Sequence, residues 1–174
     1  MGSVRNERLF QTGEDRQTGI GSIASLMRKK SIEIFLSYSG KDSFEASLMQ
    51  FAVEQLLTDL GVTVWTYERD QAKSERQIGK SLKVRVQQSA AVIFLASPST
   101  FNSGAAQWME LAYADAFDIP IFVILHRMTF NDLKKMEGGV PPLLLESQCN
   151  PSSEWRAIVR DIECNLRNEE GRQD

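Results

Sequence analysis

Histidine, cysteine and proline are scarce in this chain of 174 residues, which holds one, two and five of each. The lone His126 and the pair Cys149 and Cys164 have no metal-ligand spacing, and two cysteines make no disulfide framework. Free thiols without a framework predict a reducing, cytoplasmic compartment. No apolar run reaches the roughly 18 residues of a membrane-spanning helix. Residues 1–30 lack the apolar stretch of a secretory signal. Gly2 is present, but Asn6 stands where a myristoylation signal carries Ser or Thr, so no membrane partner is expected. A GxxxxGK[ST] run is missing, which excludes a P-loop nucleotidase. Ser97 and Ser99 lie in no G-x-S-x-G and have one histidine to draw on, which excludes a serine-hydrolase triad. Positive charge is also lacking: a net charge of −3 argues against nucleic acid as a partner.

What is present suits one folded domain with about 30 residues to spare. Residues 1–30 carry Arg5, Arg8, Arg16, Arg28, Lys29 and Lys30 against Glu7, Glu14 and Asp15, and read as a disordered leader with one short helical pattern over 20–27. From Ser31 the pattern sharpens. IEIFLSY (32–38) reads as a buried strand. Asp42 with Glu45 resembles an acidic capping box, and the helix it opens places Phe44, Leu48, Phe51, Ala52 and Leu56 on one face before stopping near Gly61. VTVWTY (62–67), AAVIFLAS (90–97) and IPIFVIL (119–125) read as further strands, and PPLLLE (141–146) as a fifth. Between them, ERDQAKSERQ (68–77) reads as an exposed loop, and Ile78, Leu82 and Val86 fall at helical spacing. PSTFNSG (98–104) reads as a turn, 153–167 as a last helix and 169–174 as a frayed end. Strands that are apolar throughout, alternating with helices, predict an α/β fold: a flavodoxin-like, doubly wound, five-stranded parallel sheet flanked by helices over 31–168. Such sheets bind ligands beyond the carboxyl ends of strands one and three, here Tyr38–Ser43 and Ser97–Ser103.

One carboxylate stands out against that frame. Glu110 lies in GAAQWMELAYADAF, a segment apolar on almost every helical face. Burying a carboxylate is costly unless it is paired or used. Two readings follow: a structural Glu that caps a loop or pairs with an Arg, and a functional acid facing the crevice between strands one and three. The helix leaves the loop after strand three, which favours the second.

The segment IEIFLSYSGKDSF resembles the first box of a TIR domain, the Toll/interleukin-1 receptor module. WTYERDQAKSERQIGKSLKVRVQQS resembles the second box, and AAVIFLASPSTFNSGAAQWMELAYA the third strand with its acidic helix. The similarity runs over about residues 31–168 and is closer to bacterial TIR proteins than to animal adaptors. Many such domains, from bacteria, plants and one animal neuronal protein, cleave NAD+ to nicotinamide and ADP-ribose or a cyclised form. The resemblance implies that Glu110 is the catalytic residue, with NAD+ as substrate and no separate cofactor or metal. The family commonly has Trp four residues before this Glu; here Ala106 stands there and Trp108 lies two before.

Around Glu110, Tyr38, Ser39, Gly40 and Lys41 are candidate substrate contacts after strand one, Gly40 by close backbone approach and Lys41 by meeting a pyrophosphate. Gly40 also fits an ordinary tight turn, and Lys41 a solvated side chain. Ser97 is a candidate at the end of strand three, and Trp108 either stacks on the cofactor-like rings of NAD+ or packs in the core. Asp42 reads as a cap, His126 as structural, and Glu33 has no role. The resemblance implies self-association through the loop after strand two, with Arg69, Arg76 and Gly79, and a product that acts on a separate effector in antiphage immune signalling. A non-catalytic TIR scaffold is the competing function. A receiver-like phosphoacceptor is disfavoured because strands one and three end in Ser37 and Ser97 rather than acids.

Overall fold

The computed structural model describes residues 31–67, 75–103, 105–136 and 139–171. The leader 1–30, Arg69 with most of the loop 68–77, and 172–174 lie outside the described residues.

Five parallel strands form one sheet in the order β2-β1-β3-β4-β5: β1 Ile32–Ser37, β2 Val62–Trp65, β3 Ala91–Ala96, β4 Ile121–Leu125 and β5 Cys149–Pro151. The reversal of strand order falls between β1 and β3, where Ser37 pairs with Phe94. β3 is buried at all six positions, as a central strand covered on both faces must be.

Seven helices of the described residues accompany the sheet: α1 Ser43–Leu56, α2 Glu75–Gln88, α3 Pro98–Ser103, α4 Ala105–Ala116, α5 Phe130–Lys135, α6 Pro142–Glu146 and α7 Trp155–Glu170. The crossovers divide them between the two faces. Ile34, Leu36, Ile93 and Leu95 point to one face and pack with Ala46 and Val53 of α1 and Ile158, Val159 and Ile162 of α7. Phe35 and Val92 point to the other, with Leu82 and Val86 of α2 and Ala114 of α4. Phe94, Ala96 and Val123 continue that second face against Leu111 of α4 and Leu144 of α6.

Four local expectations are corrected. PPLLLE is not a strand but α6, with Pro142 in the first turn, where its missing N–H costs nothing. The edge of β4 is taken instead by Cys149–Pro151, and Pro151 is tolerated because it ends an edge strand. PSTFNS is a short helix, α3, and not a turn. α2 begins at Glu75, so Arg76 and Gly79 belong to a helix. The stripe Phe44, Leu48, Phe51 and Leu56 of α1 does not face the sheet: these side chains are exposed, Phe44 by 71% and Phe51 by 65%. α1 has two apolar arcs at helical spacing, and the small one, Ala46 and Val53, lets the helix lie close to the strands.

Candidate active site

Glu110 reaches the carboxyl end of β1 from α4. On that helix Gln107, Glu110, Leu111 and Ala114 are buried, while Ala105, Ala106, Met109 and Ala112 are exposed. The helix is therefore one-sided rather than buried all round, and Glu110 sits on the inner side at the i, i+3, i+4, i+7 spacing of a packed face. Ser37, the last residue of β1, shares the parity of Phe35 and points to the same face. Its hydroxyl donates to Glu110 Oε2 at 2.6 Å, and both residues are buried. Desolvation raises the Glu110 pKa to about 7, against which the Ser37 hydrogen bond acts in the lowering direction. Among the described residues no Arg, Lys or His forms an ion pair with Glu110, so the structural reading as a paired Glu finds no partner there. One turn earlier, Gln107 donates Nε2 to the Leu95 carbonyl at 3.3 Å, and its buried Oε1 has no hydrogen bond.

The loop after β1 and the start of α3 close on each other on the opposite face. Asp42 precedes α1 but does not cap it; its buried Oδ2 accepts from Ser97 Oγ at 2.5 Å. Ser97 Oγ in turn accepts the Ser99 N–H at 3.1 Å, and the Ser97 N–H donates to Thr100 Oγ1 at 3.0 Å. Ser97 thus serves α3 as its cap and is spent inside the protein. Ser39 is buried, with its carbonyl accepting the Asp42 N–H at 2.7 Å. Tyr38 is half-buried against the α1 side of the core, and Gly40 and Lys41 are exposed. A Cβ on Gly40 would meet nothing within 4 Å, so the fold itself does not demand glycine there.

The TIR domain family model matches residues 34–164 of this chain. The chain belongs to the TIR domain family. A probable 2′ cyclic ADP-D-ribose synthase, TcpO of Methanobrevibacter olleyae, is 28% identical over 120 residues, covering 66% of this chain and 33% of that protein. The chain thus spans about a third of the length of that relative. Among solved structures, a metazoan TIR-STING receptor from C. gigas in complex with 2′,3′-cGAMP superposes with a TM-score of 0.56 at 20% identity, covering 73% of this chain and 38% of that one. That likeness bears on the fold, the α/β TIR fold.

In this TIR domain the sequence-selected residues fall into three groups. Tyr38, Ser39, Gly40 and Lys41 follow β1, Ser97 follows β3, and Glu110 reaches the end of β1 from α4. Trp108 is half-buried, stacked on Phe94 at 5.7 Å and tilted against Phe101 at 5.4 Å, a core position beside the site. Arg69 lies outside the described residues, and Arg76 and Gly79 lie in α2. Reading the sequence missed Ser37 and Gln107. Parity along β1 was the available signal for Ser37, since a residue two beyond Phe35 shares its face.

His126, read from the sequence as structural, lies beside Glu45. Its Nε2 lies 3.3 Å from Glu45 Oε1 without the alignment of a hydrogen bond, and Arg127 Nη2 donates to the same oxygen at 2.6 Å. Asp42, Glu45 and His126 bring donor atoms within 4.8 Å of one another. Both carboxylates are already engaged, by Ser97 and by Arg127, and the cluster reads as an ion-pair set. Glu33, left without a role by the sequence, accepts from Arg85 at 2.9 Å. None of the described helices is long and apolar enough to cross a membrane.

Proposed function

We propose that this TIR domain cleaves the nicotinamide–ribose bond of NAD+. The observation that carries the reading is Glu110: a buried carboxyl with no cationic partner among the described residues, at the strand-order reversal, with a pKa of about 7. Nicotinamide leaves as a neutral group once the C1′–N bond breaks with its electron pair, so the departing ring needs no general acid. The barrier is the positive charge that develops on the ribose. A carboxylate in a low-dielectric site stabilises that charge or holds a ribose hydroxyl. Water then adds to C1′ and releases a proton, giving ADP-ribose; an internal nucleophile of the same molecule gives a cyclic product instead. The name of the Methanobrevibacter relative supports the cyclic outcome. On the family resemblance the product would act on a separate effector in antiphage signalling, in the cytoplasm.

Purified protein at high concentration, given NAD+ with products resolved by mass, tests this. Nicotinamide release that Glu110→Gln abolishes is the expected result. Equal release by the variant removes Glu110 from the chemistry.

A second reading, a TIR scaffold that assembles without catalysis, is favoured by the apolar stripe of α1. Phe44, Leu48 and Phe51 are exposed along one line of the helix, a surface that a partner would cover. Assembly through the loop after β2 is the family expectation; the stripe is a different surface. Oligomerisation of a catalytically silent wild type would support this reading.

A further inference from the structure

We propose that Ser37 is the positioning residue of the site: its hydroxyl holds Glu110 Oε2 and leaves Oε1 as the oxygen that meets the substrate ribose. The proposal rests on the reading of Glu110 as the group that acts on NAD+.

Ser37 is fixed by the sheet. It pairs with Phe94 of β3, is 1% exposed, and ends the strand where strand order reverses. A serine hydroxyl has one proton, and here that proton goes to Glu110. The 2.6 Å separation is that of a charge-assisted O–H···O bond. Glu110 has a flexible side chain on a helix, and a carboxyl free to rotate would spread its oxygens over several positions. Among the described residues Ser37 is the hydrogen-bond partner that holds it, and Oε1 is given none. One oxygen clamped and one left over is what a ligand-facing carboxylate requires.

Among the described residues nothing else takes over this task. β3 and β4 carry no ionisable side chain, and neither does α3. On α2, Lys83 lies over the rings of Tyr113 and Phe117, and Arg85 is paired with Glu33. Lys80 and Lys41 are exposed, and Asp42 is tied to Ser97 on the other face. On α4 itself Asp115 is exposed. The hydroxyl of Ser37 therefore opposes desolvation alone among these groups.

The test pairs a titration that needs no turnover with steady-state kinetics, on the full chain and on Ser37→Ala and Ser37→Thr. Glu110 is titrated by carboxyl-carbon NMR after 13C labelling of glutamate, with Glu110→Gln to assign its signal. In Ser37→Ala the Glu110 titration is expected to move up by about one pH unit. kcat for NAD+ cleavage should fall about tenfold with little change in KM, and its pH profile should move with the titration. Ser37→Thr keeps a hydroxyl on a strand that favours β-branched residues, and should recover both. An unchanged titration in folded Ser37→Ala overturns the proposal, as does a shifted titration with unaltered kcat. A wild type that leaves NAD+ intact at all concentrations defeats the functional reading and, with it, the role in positioning; the titration still reports whether the hydrogen bond exists.

Discussion

Ser97 Oγ donates to Asp42 Oδ2 at 2.5 Å, joining the end of β3 to the turn that follows β1. The bond has a counterpart across the sheet, where Ser37 at the end of β1 donates to Glu110 on the helix that follows β3. Ser37, which ends β1, and Ser97, which follows β3, thus hold two carboxyls crosswise at the point where strand order reverses.

The Asp42 bond is a stability element. Asp42→Ala leaves the buried Ser97 hydroxyl without its acceptor, and a loss of about 1–3 kcal/mol is expected. The midpoint of urea unfolding measures it. An unaltered midpoint would show that the α3 cap alone satisfies Ser97.

Glu110 makes stability fall as pH rises. Burial raises its pKa from the usual 4.5 to about 7 in the folded chain. The folded state therefore holds a proton that the unfolded state has released, and the stabilising proton is fully present below the unfolded pKa. Stability is lost between about pH 4.5 and pH 7, and it amounts to about 3 kcal/mol. Glu110→Gln should flatten that slope and unfold later than wild type at pH 8. Parallel pH–stability curves for the two proteins would contradict the burial of a lone acid.

The same proton governs catalysis in the opposite direction. If the ionised carboxylate acts, kcat/KM for NAD+ rises about tenfold per pH unit below pH 7 and levels above it. Bound NAD+ carries a cationic pyridinium that favours the ionised form, so the kcat profile should break at lower pH than kcat/KM. Initial rates from pH 5 to pH 9 at saturating and limiting NAD+ decide between this and a protonated Glu110, which gives the mirror-image profile.

The α1 stripe is exposed and apolar, and Phe44 and Phe51 face water. Phe44→Glu and Phe51→Glu should change unfolding free energy by no more than about 0.5 kcal/mol, since both side chains already face water. They should abolish concentration-dependent association in sedimentation velocity. Association that survives both substitutions assigns assembly to another surface.

Most strands could be read from the chain because β1, β3 and β4 are short runs of Ile, Val, Leu and Phe, which suit a sheet covered on both sides. β5 escaped notice because its three residues Cys149, Asn150 and Pro151 have no such character; a ladder along β4 defines them. Its place was given to PPLLLE, whose leucines fit strand and helix equally until Pro142 found a helical first turn. α1 failed in another way. Its periodicity was visible, but apolar spacing alone does not say which of two arcs faces the sheet, and proximity selected the smaller side chains.

By itself the sequence determined the class of fold and the order of its central strands, and it singled out one carboxyl, because hydrophobic burial is written as local runs and an acid in an apolar helix is conspicuous within one turn. The tertiary structure alone decided what holds that carboxyl. Ser37 and Glu110 are 73 residues apart, as Asp42 and Ser97 are 55 apart, and no local pattern encodes a hydrogen bond that exists only after parallel strands have brought their carboxyl ends together.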